Sequence, residues 1–263
     1  MDEPILFERQ GRVALIVLNR PKVYNAFNHE AVKLLYQGLI QLRSDRDVGS
    51  VVVSARGAHF CAGGDLAWAF GHESGPDAAL YQLAGMYHQA VLEMMRMPKP
   101  VIAAIRGIAA GGGFSLGLAC DFRIMETSAI LRQAYTSNGL CIDGGGTFIL
   151  PRVVGLARAM EIAAFDEPIP AEQALSWGLV TEVVDEGKAA ERAVELAREL
   201  MKKSLNSFRW SKKLLADSFN TPIETHLERE RAGISSCAAH EDGREGMRAF
   251  LEKRPPVFGR SPS

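Results

Sequence analysis

The 263-residue chain has no surplus of either charge and no long apolar run. Its 30 Lys and Arg are balanced by 31 Asp and Glu, whereas sequence-independent nucleic-acid binding depends on an excess of cations. The first ten residues lack a signal-peptide pattern, and no run of about 18 apolar residues is present. We therefore expect no nucleic-acid partner, no membrane partner and a cytoplasmic location.

Cysteine is also scarce, and none of the four forms a pair with the spacing of a metal site. We interpret Cys61, Cys120, Cys141 and Cys237 as reduced thiols of the core. The six histidines are equally scattered. No metal site is predicted from these residues.

Glycine, in contrast, is concentrated in the middle of the chain: 16 of the 25 glycines lie between Gly57 and Gly155. The overall composition, with 47% apolar and 23% charged residues, is that of an ordinary globular protein. Clustered glycine predicts backbone at positive φ or backbone that closely approaches a ligand. The central third is thus the first place to look for a site.

Strand and helix patterns alternate through the first part of the chain. The β-branched runs Val13–Leu18 and Ser50–Ala55 predict buried strands, and between them Asn28 can cap a helix. A helix over residues 83–95 is followed by a third predicted strand, Val101–Ile105. This order predicts an α/β fold with a largely parallel sheet.

The remainder of the chain is more helical. Residues 201–263 carry few strand signals, and we predict a core over residues 1–200 with a C-terminal helical region over 201–263. Within the core, residues 68–83 contain Gly71, Gly75 and Pro76 and are expected to form a mobile loop.

Two glycine-rich segments each follow a predicted strand: residues 59–66 (HFCAGGDL) and 108–114 (IAAGGGF). Backbone N–H groups at such turns and at helix starts have no partner within the element. If the two segments converge, two of these donors form an oxyanion hole. Taken alone, each segment is better explained as a tight strand-to-helix turn.

These segments, together with residues 18–28 (LNRPKVYNAFN), 177–180 (WGLV) and 245–254 (EGMRAFLEKR), resemble the crotonase (enoyl-CoA hydratase/isomerase) superfamily. The resemblance covers nearly the whole chain. It implies a spiral of ββα units followed by a helical trimerisation region, assembled as a homotrimer or a dimer of trimers. It also implies an acyl-CoA thioester substrate, with no cofactor besides the coenzyme A that the substrate carries.

The resemblance further implies roles for individual residues. The amides of Gly64 and Gly112 would hold the thioester oxygen as an enolate forms. The residues implied to contact the nucleotide, the pantetheine or the acyl group are Lys22, Tyr24, Ala26, Ala62, Asp65, Leu66, Tyr135, Phe250 and Lys253. In this superfamily the last two often act across a subunit boundary.

The acidic residues discriminate among reactions. Hydratases of the superfamily use two glutamates, at positions that Ser115 and Tyr135 occupy here. Neither a hydroxyl nor a phenol is a good base at neutral pH, so ordinary hydration is not expected. Asp143, within residues 140–147 (LCIDGGGT), matches the catalytic carboxylate of related isomerases. The neighbouring sequence looks most like the PaaG-type enoyl-CoA isomerases of phenylacetate degradation.

Asp143 has two interpretations on the residues alone. A carboxylate buried in an apolar, glycine-rich segment is a stronger proton acceptor than a solvated one. The alternative is an N-cap on a helix that starts near Gly146. His88 adds a third possibility, because it falls where 4-chlorobenzoyl-CoA dehalogenases carry a water-activating histidine and Asp143 matches their nucleophile. We interpret His88 as a partly buried helix residue beside Tyr87, and it stays an open candidate, as does Ser115.

The leading hypothesis is an isomerase that converts 3-enoyl-CoA to 2-enoyl-CoA, with Asp143 as acid and base. The alternatives are a hydratase-like enzyme, and a ring-epoxide isomerase, hydrolase or dehalogenase acting on an aromatic or cyclic acyl-CoA. Trp68, Phe70 and Tyr135 hint at such a ring. A non-catalytic acyl-CoA-binding protein is the alternative of another class.

Overall fold

The structure, a computed structural model, describes residues 3–259. Its strands are β1 Ile5–Gln10, β2 Val13–Leu18, β3 Ser50–Ala55, β4 Val101–Ile105, β5 Ile108–Ala110, β6 Phe122–Glu126, β7 Ile130–Arg132, β8 Ile169–Pro170 and β9 Glu182–Val184. Its α-helices are α1 His29–Ser44, α2 Leu66–Phe70, α3 Gly75–Met95, α4 Gly112–Ala119, α5 Gly146–Val154, α6 Leu156–Phe165, α7 Ala171–Ser176, α8 Ala189–Leu200, α9 Leu205–Asp217, α10 Ile223–Ala239 and α11 Glu241–Leu251.

The strands form two sheets. The larger has the order β1-β2-β3-β4-β6-β9 and is parallel except for the antiparallel β1–β2 pair. The smaller has the order β5-β7-β8. The predicted strands Val13–Leu18, Ser50–Ala55 and Val101–Ile105 have the predicted bounds, and the side chain of Asn28 caps α1 by accepting from the N–H of Ala31. The α/β prediction is confirmed.

Both faces of the larger sheet are buried, which explains the continuous apolar runs of its central strands. One face, with Ile16, Val53 and Ala103, packs in a core cluster that includes α1 and α3. The other face, with Val52 and Ile102, packs against α8 in a second cluster. The glycine-rich turns lie on the first side, so the sheet separates them from α8.

Helices α9, α10 and α11 follow the core. A half-buried ion pair joins α9 to the sheet, because Lys212 Nζ lies 2.7 Å from Asp121 Oδ2, which also accepts from the N–H of Val101. Within residues 3–259, no helix combines the length and apolar character needed to cross a membrane.

Two expectations from the sequence are wrong. Residues 68–83 do not form a loop: they lie mostly in α2 and α3, because Gly75 and Pro76 occupy the first turn of α3, where proline is tolerated. The cysteines are not all core thiols either, since Cys141 is exposed and Cys237 is partly exposed.

Candidate active site

The two glycine-rich turns contact each other through their backbones. Residues Cys61 and Ala109 form a parallel β-bridge, and a Cβ placed on Gly63 would lie 2.9 Å from the nitrogen of Gly112. Gly63 and Gly111 both have positive φ, at 98° and 53°. Only glycine fits these conditions without strain, which explains why the glycines cluster here.

The amides of Gly64 and Gly112 have no hydrogen-bond acceptor among the described residues. Gly112 is the first residue of α4, where an N–H has no intrahelical partner. Gly64 follows the sharp turn at Gly63, whose carbonyl accepts from the N–H of Phe27. Both glycines line one cavity, so two free donors face the same space.

This cavity has a volume of about 410 Å³ and mostly apolar walls. It is lined by Phe27, Ala62, Gly64, Leu66, Leu80, Leu83, Ala84, Tyr87, His88, Gly111, Gly112, Ala134, Tyr135, Asn138, Leu140, Cys141 and Asp143. Of the described residues that line it, Asp143 alone carries a carboxylate. One acid and two backbone donors thus surround a space of the size typical of a small-molecule site.

Tyr87 connects the donors to the acid. Its O–H donates to the carbonyl of Gly112 at 2.5 Å, and its ring lies against the turn that follows Asp143, since a Cβ on Gly144 would come within 2.4 Å of it. Burial raises the pKa of Tyr87 well above its usual value, and the phenol stays protonated as a donor.

Asp143 is held by the neighbouring phenol. The O–H of Tyr135 donates to Asp143 Oδ1 at 2.5 Å, and the Asp143 side chain is 32% exposed, facing the cavity. The N-cap alternative for Asp143 is not observed, because Gly145 precedes α5 and no side chain caps that helix. Burial of Tyr135, and then the charge of Asp143, raise the pKa of the phenol.

The raised pKa of Tyr135 has a consequence for stability. An unfolded tyrosine ionises near pH 10, whereas the native phenol keeps its proton. The neutral phenol therefore contributes its stability fully below pH 10, and this contribution is lost as the pH rises above 10. We expect the unfolding free energy to fall by about 1.4 kcal/mol per pH unit for this group.

Urea unfolding between pH 9 and pH 11 measures this slope. In the Tyr135→Phe variant the unfolding free energy should fall less steeply with pH, by the contribution of one titrating group. Tyr81→Phe, which removes a phenol that is 84% exposed, is the control and should keep the wild-type slope. An equal slope in wild type and Tyr135→Phe would contradict the assignment.

His88, on α3, lies beside the acid although 55 positions separate the two residues. Its Nε2 is 3.6 Å from Asp143 Oδ2 and accepts from the N–H of Gly144 at 3.3 Å. The interpretation of His88 as a partly buried neighbour of Tyr87 is thus incomplete: about half of its side chain is exposed, and it lines the cavity.

Ser115 does not line the cavity. It is fully buried in α4, and its hydroxyl donates to the backbone carbonyl of Asp143 at 2.7 Å. Its place is behind the acid, where it fixes the turn that carries Asp143.

Of the residues implied to contact coenzyme A, Ala62 and Leu66 line the cavity. The loop with Lys22, Tyr24 and Ala26 lies next to them, since the N–H of Ala62 donates to the carbonyl of Tyr24. Asp65 does not face the cavity; it caps α2 through the N–H of Trp68 and pairs with Arg20 at 3.0 Å.

Four aromatic or C-terminal residues lie apart from the cavity. Phe250 and Lys253 are exposed at the end of α11, and neither lines the cavity within this chain. Trp68 packs partly buried against the core, and Phe70 is 80% exposed, so neither supports the hint of a ring-shaped substrate. The apolar wall formed by Leu80, Leu83 and Leu140 was not predicted from the sequence.

Comparison with known proteins adds four findings. The family model described as "Enoyl-CoA hydratase/isomerase" matches residues 8–261. The chain is 36% identical to a 1,2-epoxyphenylacetyl-CoA isomerase of Escherichia coli, over 98% of this chain and 99% of the relative. It is 32% identical to a 4-chlorobenzoyl coenzyme A dehalogenase of Arthrobacter, over 96% of this chain and 92% of the relative. The crystal structure of an enoyl-CoA hydratase from a Polaromonas species superposes with a TM-score of 0.92 at 32% identity, covering 97% of this chain and 99% of that one.

Proposed function

The chain belongs to the enoyl-CoA hydratase/isomerase family, and we propose that it is an acyl-CoA isomerase that moves a carbon–carbon double bond from the β,γ to the α,β position. One observation carries the proposal: the cavity brings one carboxylate, Asp143, together with the two free amides of Gly64 and Gly112. A proton shuttle needs one acid–base group and a stabilised enolate, and this set supplies both.

The proposed reaction has two proton transfers. The Asp143 carboxylate removes a proton from the α carbon, and the electron pair moves onto the thioester oxygen, which accepts from the N–H groups of Gly64 and Gly112. The dienolate then collapses, and the protonated Asp143 returns the proton to the γ carbon. The product has an α,β double bond, and no cofactor beyond the coenzyme A of the substrate is required.

The arrangement around Asp143 supports this role. Tyr135 occupies Oδ1, which leaves Oδ2 as the oxygen available for proton transfer. Neither Ser115 nor Tyr135 offers a second carboxylate to activate water, and most of the cavity wall is apolar. Water exclusion protects an enolate from side reactions.

A second candidate is hydrolytic substitution on an aromatic acyl-CoA, and the 3.6 Å approach of His88 to Asp143 favours it. Here Asp143 attacks a ring carbon and the halide leaves with the bonding electrons. His88 then takes a proton from water, which attacks the carboxyl carbon of the aryl ester; the bond from that carbon to the aryl oxygen breaks, and the hydroxyaryl-CoA leaves with the regenerated Asp143 carboxylate behind it. Single turnover in ¹⁸O-water would place the label in Asp143 for this candidate and not for the isomerase.

The variant His88→Gln separates the two candidates. Isomerisation should stay within about tenfold of wild type, because a glutamine carbonyl can still accept from the N–H of Gly144, and a neutral hydrogen bond contributes only about 1 kcal/mol. The measurement is kcat for β,γ-enoyl-CoA conversion followed by absorbance. A covalent Asp143 adduct that accumulates in His88→Gln with a halogenated aryl-CoA would overturn the isomerase and support substitution.

A further inference from the structure

A second cavity, of about 360 Å³, lies on the opposite face of the larger sheet from the acyl-CoA cavity. It sits at the carboxyl ends of β3, β4 and β6, next to the first turn of α8. Ser54 and Glu126 lie two positions after the core residues Val52 and Ile124 on the same strands, so they point to the same, α8 side of the sheet. Carboxyl ends of parallel strands are a common place for ligands.

Three polar side chains line this cavity without a partner. Glu126 is 5% exposed and Ser54 is 8% exposed, and neither side chain forms a hydrogen bond or ion pair with any described residue. Arg106, directly after β4, has a buried Nε with no hydrogen-bond partner among residues 3–259. Buried polar groups in folded proteins are nearly always hydrogen-bonded, so these three side chains are available to a ligand that enters the cavity.

The helix α8 adds further donors. Its first turn lines the cavity through Ala189 and Ala190, and Lys188 before it provides no side-chain cap. The N–H groups of a first turn have no intrahelical acceptor and carry a partial positive charge. The cavity is thus lined by positive groups, Arg106 and the first-turn N–H groups of α8, and by the buried carboxylate of Glu126.

The charges select the class of ligand. A simple anion would be attracted by Arg106 but repelled by Glu126, and a simple cation would meet the reverse. A metal ion is disfavoured by the arginine, and no group of three possible ligands occurs among the described residues. We propose that this cavity binds a small zwitterion, an α-amino acid, whose carboxylate contacts Arg106 and the α8 N–H groups and whose ammonium contacts Glu126 and Ser54.

The rim limits the size of the ligand. Arg56 and Glu8 form an ion pair of 2.7 Å at the mouth, and both are exposed. Because this ion pair lies across the mouth and the volume is about 360 Å³, the cavity favours an amino acid with a small side chain. The site is separate from the proposed isomerase reaction, and its function does not depend on Asp143.

Isothermal titration calorimetry tests the proposal. L-Alanine, L-serine and L-valine are titrated at millimolar concentration, with propionate and ethylamine as probes that each lack one charge. We expect an amino acid to bind at least about tenfold more tightly than either half-probe. Glu126→Gln and Arg106→Met should each weaken binding by about 30-fold or more, because one charge of the ligand loses its partner.

Two control variants accompany them. Glu93→Gln alters a carboxylate of α3 that pairs with Arg43 of α1, and Asp143→Asn alters the other cavity. Both variants should leave amino-acid binding unchanged. The proposal is overturned if no amino acid binds, if a half-probe binds equally well, or if Glu126→Gln binds like wild type. A crystal structure soaked with L-alanine that shows only ordered water between Arg106 and Glu126 would overturn it as well.

Discussion

Replacing Asp143 by asparagine is expected to lower kcat for β,γ- to α,β-enoyl-CoA conversion by about 10²- to 10⁴-fold, the range that a positioned acid–base group contributes. Asparagine has the same shape and still accepts a hydrogen bond from Tyr135, so the cavity should keep its geometry. It cannot take a proton from the α carbon. Absorbance assays of turnover, with solvent deuterium exchange at the α carbon as a second readout, measure the loss.

The affinity for the acyl-CoA should change little in Asp143→Asn, because the amides of Gly64 and Gly112 remain. Asp47→Asn, an exposed acid on another part of the surface, is the matched control and should retain full activity. Full turnover in Asp143→Asn would mean that another group moves the proton. Tight acyl-CoA binding without turnover in wild type, across a broad panel of substrates, would instead favour a binding protein.

The second large effect is expected at Gly112. Proline there removes the N–H that faces the cavity, and the first position of a helix is the one that tolerates proline best. The loss of one oxyanion donor typically costs about 10²- to 10³-fold in rate. We therefore expect kcat of Gly112→Pro to fall by that factor, in the same absorbance assay.

Gly112→Ala is the matched control, because it adds a side chain and keeps the N–H. Its Cβ would meet Phe27 at 3.5 Å and Gly63 at 3.6 Å, which are ordinary contacts. Circular dichroism melts of both variants check that the fold survives. If the two variants lose activity equally, steric crowding is the cause, and Gly112 is not a donor.

Local chemistry made much of the fold predictable. The strands Val13–Leu18 and Ser50–Ala55 are β-branched and buried on both faces, and α1 begins at a residue whose side chain caps it. Free amides in the two glycine-rich turns were predictable from glycines placed after strands, whereas the choice of Gly64 and Gly112 came from the resemblance to the superfamily. Their convergence depends on the contact of Gly63 with the second turn, which is a tertiary contact.

The features that were not predicted from the sequence depend on contacts between residues far apart in the chain. His88 meets Asp143 only because α3 packs across α4 and the turn at Gly144, and no local pattern marks that pair. The short strands β7, β8 and β9 have two or three residues each, too few for a periodic signal. The segment over residues 68–83 has turn residues, but burial of Ala79 and Leu83 against the core outweighs them and keeps the helix.

The backbone contact between the two glycine turns has a consequence for how such a protein diverges. The two amides are main-chain atoms, so no single side-chain exchange at Gly64 or Gly112 short of proline deletes them. The acid, in contrast, is one side chain supported by Tyr135 and His88 from separate elements. Evolution can therefore exchange the reaction while it keeps the binding of the thioester, and relatives at 32 to 36% identity carry the names of an isomerase, a dehalogenase and a hydratase.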